Sequence, residues 1–403
     1  MPIYLDHNAG APLRPEAEAA ISRLLRDAVG NPSSVHRSGQ RSRRMLEDAR
    51  VQVASVVGAQ PRQIVFTSGG TESNNLAIFG AITVASRRRK IISSEIEHSS
   101  ILAPLAELER RGFDVVRIAP DSDGRVDPAR VLDSLDSETA LVTLGLANSE
   151  VGTIQNLAPL PSACKEAGAM FHVDAAQAVG RIPVDVAALG CDLMTISGHK
   201  LGAPAGIGAL YLRSPSPEGE ASGVRGEVAS ASLFAPTSFG GPHESGMRAG
   251  TPNLLGAVAF GAAAEAAMNV MVTEPERIGS LAESLLMRLR EAIPGLRLNG
   301  PAVGRLPNTL NLTFPGVLGE SMLIALDLEG VEVSMGSACA AGAVEPSHVL
   351  RAMRRSIADA RSSLRISLGW NNTADEIDAV AAIIPAVWRR VADAEPLSEV
   401  GAR

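Results

Sequence analysis

Four short strings in this sequence carry groups able to do covalent or binding chemistry. Ser197-Gly198-His199-Lys200 follows an apolar run and ends on an amine. Lys200 is one of only three lysines, beside Lys90 and Lys165, against thirty-four arginines. A lysine that condenses with a carbonyl must be partly desolvated so that its amine is neutral, and a strand end can supply that setting. The alternative is a solvated surface lysine, which is how Lys90 and Lys165 read in their polar helical contexts. His172-Val173-Asp174 places a carboxylate after a second apolar run, where it could hold a ring nitrogen protonated or cap a helix starting near Ala175. Ser68-Gly69-Gly70-Thr71-Glu72-Ser73 stands between a third run and a helical stretch. Its glycines let the backbone approach a ligand, and a helix start offers free N–H groups to an anion, with the Thr71 hydroxyl beside them. It reads equally as an ordinary capped turn, and it is not a Walker loop, since no Gly-Lys-Ser/Thr follows.

The fourth string, Ser334-Met335-Gly336-Ser337-Ala338-Cys339-Ala340-Ala341-Gly342, surrounds one thiol with small residues and shows no core pattern. A mobile, exposed thiol can act as a nucleophile, with some activation, because an ordinary thiol is only a few per cent thiolate at neutral pH. Cys164 and Cys191 sit in apolar contexts and read as small core residues. Three cysteines in all are too few for a disulfide framework.

An amine, a carboxylate and an anion cup at strand ends together suggest pyridoxal 5'-phosphate. Asp174 would pair with the ring nitrogen, making the ring an electron sink. Glu97-His98, at another strand end, supplies a flat ring that could stack on such a cofactor, although a lone histidine is more often structural.

These groups need a scaffold, and the patterning supplies one. Apolar runs near 64–67, 91–94, 115–119, 141–146, 170–173, 193–197 and 208–212 alternate with helical periodicity, which predicts βαβ units and a largely parallel sheet buried on both faces. Helices are predicted over 15–28 and 39–57, then, beyond a Ser/Pro/Gly-rich stretch at 214–239 that reads as a loop, over 254–271 and 276–292. Strands near 309–314 and 364–368 and a last helix over 373–391 complete a smaller α+β unit. With 403 residues, 45% of them hydrophobic, two domains are expected: a large one at 14–258, and a small one formed by 1–13 with 259–403. A net charge of −7 argues against a broad nucleic-acid footprint. No run approaches the roughly 20 apolar residues of a membrane span, so a soluble, cytoplasmic protein with no membrane partner is expected.

The strings YLDHNAG, NPSSVH, FTSGGTESNNLAI, EHSSIL, NSEVGTIQ, HVDAAQAVG, SGHKLGAPAGIGALY, GGPHESGMRAGTPN, GSACAAGAVEPSHVLRAM and SSLRISLG occur in that order. Across nearly the whole chain they resemble the cysteine desulfurases of the NifS/IscS branch, pyridoxal phosphate enzymes of transferase fold type I. The resemblance implies an α/β fold with a mainly parallel large domain and a homodimer that strips sulfur from L-cysteine. It implies that Lys200 bonds the cofactor, Asp174 and Gln177 hold its ring nitrogen and hydroxyl, and His98 stacks on the ring and helps move protons. Gly70, Thr71, Ser197 and His199 would hold the phosphate, with Thr251 reaching in from the neighbouring subunit. Asn148 and Arg365 would bind the substrate carboxylate. Cys339 would attack the substrate sulfur, leaving alanine and a persulfide that passes to an iron–sulfur scaffold or another acceptor, whether for nitrogen fixation, general cluster assembly or tRNA thiolation. No metal is implied. The sequence departs from the family pattern at Gly10-Ala11, where two threonines are usual, at Ala203 and Ala205, where glycine and lysine are usual, and in the length of 214–239. Two other readings follow from the same scaffold: a selenocysteine or cystine lyase that does not need Cys339, and an assembly subunit with weak activity of its own.

Overall fold

In a computed structural model, residues 2–27, 30–85, 87–213, 234–241, 243–336 and 345–394 are described. All seven apolar runs are strands of one sheet, in the order Ile64–Thr67, Gly208–Leu212, Leu193–Ser197, Met170–Asp174, Thr139–Gly145, Lys90–Ser94, Asp114–Ile118. Every neighbour pair is parallel except the two made by Gly208–Leu212, which runs against both of its partners. The remaining six strands therefore share one direction, and their carboxyl ends open on one edge of the sheet, where α/β proteins place ligands. The central strands are buried on both faces, which is why they read as continuous apolar runs rather than alternating ones.

Helices Pro15–Arg26, Arg37–Ser55 and Leu254–Asn269 pack together on this sheet. Helix Leu254–Asn269 is apolar on all sides because it is buried on most of them. At Gly261 a Cβ would lie 2.8 Å from the Ala49 Cα, so the glycine is what lets this helix approach Arg37–Ser55 so closely. The boundary expected at 258 falls inside this helix, whose residues Ala259, Phe260 and Ala263 belong to the first core. We place the division after Asn269 instead.

Beyond it, a second core gathers around Leu285, Leu289, Leu312, Phe314, Ile366 and Ile384, with Leu5 from the chain start. It covers a three-stranded antiparallel sheet, Ser363–Ser367, Thr309–Thr313 and Arg297–Asn299, while Ile3–Tyr4 pairs in parallel with Val331–Glu332. Of the expected loop at 214–239, residues 214–233 lie outside the described residues.

One buried ion pair ties the stretch after that loop to the large domain. Glu244 accepts from Arg50 Nη1 at 2.6 Å and Nη2 at 2.9 Å, and from the Phe66 backbone N–H at 2.8 Å. Glu244 and Ser245 hold φ of 47° and 56°, a left-handed backbone that non-glycine residues adopt only when their surroundings enforce it. Glu244→Gln keeps the shape but leaves the buried Arg50 charge with only the half-exposed Glu47 as a carboxylate partner. Denaturant unfolding should show a loss of about 3 kcal/mol; an unchanged midpoint would mean the pair does not hold this turn.

Candidate active site

Most of the predicted groups line one cleft of about 540 Å³ at the carboxyl edge of the large sheet. Around it are Gly70, Thr71, His98, Asn148, Asp174, Gln177, Ser197, His199, Lys200 and Arg365. Thr251 is exposed and is not among the lining residues. Cys339 lies outside the described residues; Ser334 and Gly336, at the near end of its string, line the cleft.

Lys200 ends a short 3-10 turn, Gly198–Lys200, after strand Leu193–Ser197. Its Nζ donates to the carbonyls of Asn8 and Ala9, both at 2.6 Å. Burial first, then the positive charges of Arg181 and Arg365, bring the amine down to about 7, so close to half of it is neutral at physiological pH. Both lysine partners come from the N-terminal segment, where Tyr4 Oη donates to the Gly10 carbonyl at 2.6 Å and the Ala11 N–H donates to His199 O at 2.8 Å. A Cβ at Gly10 would meet only His199 Cδ2 at 3.8 Å, so sterics do not demand glycine there.

Asp174 ends strand Met170–Asp174. Its Oδ1 accepts from the Ala176 N–H at 2.9 Å and its Oδ2 from Asn74 Nδ2 at 2.8 Å. The same amide group donates to Ser100 Oγ at 2.8 Å, and Ser100 Oγ lies 2.7 Å from His98 Nδ1. The Ser100 backbone N–H also donates to Nδ1, at 3.1 Å. That nitrogen is therefore an acceptor, and the proton of the neutral ring sits on Nε2. Burial lowers the His98 pKa, which keeps the ring neutral at pH 7. Beneath them Glu97 accepts from Ser94 Oγ at 2.5 Å and the Gly145 N–H at 2.9 Å. Burial, with the nearby Asp174 charge adding to it, pushes Glu97 up to about 8, so it stays uncharged at neutral pH.

At the other end, Ile64–Thr67 turns into helix Gly70–Val84 through Gly69, whose φ of 152° favours glycine. A Cβ at Gly208 would lie 2.7 Å from Gly69 Cα, so the antiparallel strand must also be bare where this turn crosses it. The helix start faces Ser197, whose Oγ lies 3.1 Å from His199 Nδ1. Burial, reinforced by the Lys200 charge, drops His199 to about 4, leaving a neutral ring. Free helical N–H groups, hydroxyls and neutral imidazole make a cup suited to a multiply charged anion.

Arg365, on strand Ser363–Ser367, donates from Nη2 to Asp6 Oδ1 at 2.6 Å and from Nη1 to Ser149 O at 3.1 Å. Among the described residues its Nε is buried without a partner. The Asn148 Oδ1 accepts from the Glu150 and Val151 N–H groups, and its Nδ2 donates to Ile96 O, which leaves one amide proton for a ligand. Burial pushes both Cys164 and Cys191 up to about 12, so neither thiol forms thiolate at neutral pH. Asn8, Asn74, Asp6 and Arg181 are the site residues that the motif reading passed over; Asn8, Asp6 and Asn74 stand inside quoted strings but carry no local signal of their role.

A desolvated lysine, a carboxylate and an anion cup at the strand ends of a mainly parallel sheet define a protein of the lysine-anchored, fold type I class. The Aminotransferase class-V family model matches residues 3–380, and the chain belongs to that family. Cysteine desulfurase IscS of Dictyoglomus turgidum is 39% identical over 398 residues, spanning 98% of this chain and 97% of that protein. Cysteine desulfurase 2 of Trichormus variabilis is 40% identical over 396 residues, spanning 98% and 95%. Among solved structures, a NifS-like protein superposes with a TM-score of 0.86 at 31% identity over 97% of this chain and all of that one. SspA in complex with cysteine gives 0.76 at 31% identity over 91% and 98%.

Proposed function

We propose that this protein is a pyridoxal 5'-phosphate-dependent cysteine desulfurase, with Lys200, His98 and Cys339 as its catalytic residues. The observation that carries the reading is the convergence of Lys200, Asp174, His98 and Arg365 on one cleft. The residues fit the cofactor. The bare Gly69–Gly70 turn with Thr71, Ser197 and His199 suits its phosphate, Asp174 its ring nitrogen, Gln177 its hydroxyl and His98 its ring face. Bound there, the cofactor supplies an electron sink conjugated to the substrate's α-carbon.

The chain's own residues do the rest. Lys200, near neutrality, bonds the cofactor and afterwards can take or return a proton at Nζ. Arg365 and the spare Asn148 amide proton hold the substrate carboxylate, with Asp6 and the Ser149 carbonyl keeping the guanidinium in place. His98 presents a neutral ring whose proton is on Nε2. Cys339 takes the sulfur: L-cysteine and the Cys339 thiol become L-alanine and a Cys339 persulfide, and the persulfide passes to an acceptor such as an iron–sulfur scaffold.

A homodimer fits the same reading. Leu25, Val51 and Met268 expose apolar surface on the three packed helices, and exposed Thr251 is free to serve a partner's phosphate. Among the described residues no single helix is long and apolar enough to cross a membrane.

The carboxylate assignment has a direct test. Arg365→Lys keeps a cation for Asp6 but loses the planar fork, so steady-state kinetics should show KM for L-cysteine raised on the order of tenfold to a hundredfold, with a smaller change in kcat. A KM within twofold of wild type would remove Arg365 from the substrate site.

A further inference from the structure

Arg181 is a partly buried cation with no carboxylate partner among the described residues. Arg14, Arg50 and Arg365 are each answered by an acid, namely Glu274, Glu244 and Asp6. Arg181, among the described residues, makes its hydrogen bonds to neutral acceptors only. Nη1 donates to the Gln177 carbonyl at 3.0 Å and to Gln177 Oε1, and Nη2 donates to the His7 carbonyl at 2.9 Å. A partly desolvated charge that no acid answers carries a cost, and a chain that keeps one beside its reactive lysine invites a functional account.

The contacts give that account. Because Arg181 can only donate, the Gln177 oxygen must face it and the Gln177 amide nitrogen must face the cleft. That nitrogen donates to Asn8 O at 3.0 Å, the same carbonyl that receives Lys200 Nζ. Its second proton remains for a ligand. Arg181 and Lys200 also line one small cavity of about 40 Å³ behind the main cleft, together with His7, Arg14 and Glu274.

We propose that Arg181 is a positioning residue for the cofactor lysine: it locks the Gln177 amide with its donor toward the cleft and sets a fixed positive charge beside Lys200. This rests on the reading that Lys200 bonds the cofactor. The charged groups acting on the amine are Arg181 and Arg365, which disfavour its proton, and Asp6 and Asp174, which favour it. Arg14 is neutralised by Glu274 across the cavity, while burial drives His199 and His7 toward neutral rings. Arg181 itself, brought down by burial and Arg365 to about 9, still holds its proton at pH 7, so of the two neighbours it is the lysine that gives way.

The small number of lysines makes the test clean. The full-length chain, freed of cofactor, is pulse-labelled with acetic anhydride across a pH series, and the Lys200 peptide is followed by mass spectrometry with the Lys90 and Lys165 peptides as internal standards. Labelling rises as the amine loses its proton, and the wild-type Lys200 midpoint is expected near 7. In Arg181→Gln it should move up by about one pH unit, because a like charge has gone. In Arg181→Lys, which keeps the charge but not the fork, it should stay near wild type, while cofactor affinity falls through the freed Gln177 amide. Arg181→Met gives the same reading as Arg181→Gln if the latter does not fold. A wild-type midpoint near that of an ordinary lysine, or an unshifted midpoint in a folded neutral variant, would overturn the proposal. The labelling needs neither cysteine nor turnover, so its failure would leave the desulfurase reading standing, while failure of that reading would show in turnover and not in the labelling midpoints.

Discussion

Lys200→Ala should abolish turnover of L-cysteine, with a fall of at least on the order of 10⁴ in kcat, while the chain stays folded. The size of the effect follows from where the amine stands. An ordinary lysine at pH 7 is neutral in fewer than one molecule in a thousand, whereas an amine brought down to about 7 is neutral in about half of them. The cleft thus raises the reactive form roughly a thousandfold before any cofactor binds, and neither Lys90 nor Lys165 stands in it. Loss of the side chain should not weaken the fold. The unfolded chain binds this proton more tightly than the folded one, so the buried amine opposes folding fully below about pH 7 and ceases to do so above about 10.5. Alanine removes that penalty. The companion experiment is borohydride reduction of the wild-type protein with pyridoxal phosphate, followed by peptide mapping. The stable adduct should sit on Lys200; an adduct on Lys90 or Lys165, or an alanine variant that still turns over, would refute the role.

Much of this site could be read from sequence, for reasons visible in the structure. The strands are buried on both faces, so each is a bare apolar run, and the residue that follows each run is placed at the open edge of the sheet. That is how Asp174, Lys200 and Gly70 could be picked out one at a time. Strand direction leaves no such trace: Gly208–Leu212 has the same composition as its parallel neighbours, and only its pairing shows that it runs the other way. Helix Leu254–Asn269 was also illegible in its allegiance, since an all-apolar helix could close either core. The contacts that finish the site are long-range. Asn8 meets Lys200 from 192 residues away, and Asp6 meets Arg365 from 359, so no local pattern could have joined them. The Arg181–Gln177 contact spans only four residues, yet its meaning depends on the absence of an acid from elsewhere. Cys339 stands out as a candidate nucleophile from the small residues around it, but its substrate, and the whole role of Thr251, come only from resemblance to a family.

Cys339→Ala carries the second large effect and decides the central claim. Cys164 and Cys191 are buried with thiols held at about 12, so neither can replace the missing nucleophile. With Cys339 gone, the lysine, Asp174 and the anion cup are untouched, and cofactor and cysteine should still bind. Sulfur release should fall by at least on the order of a thousandfold, as for loss of a covalent nucleophile. The measurement is alanine and sulfide production from L-cysteine with added reductant, wild type beside the variant, with cofactor content confirmed in both. The account predicts equal amounts of the two products from the wild type and neither above background from Cys339→Ala. Equal activity in the variant would contradict it and identify a lyase that releases sulfur without the thiol.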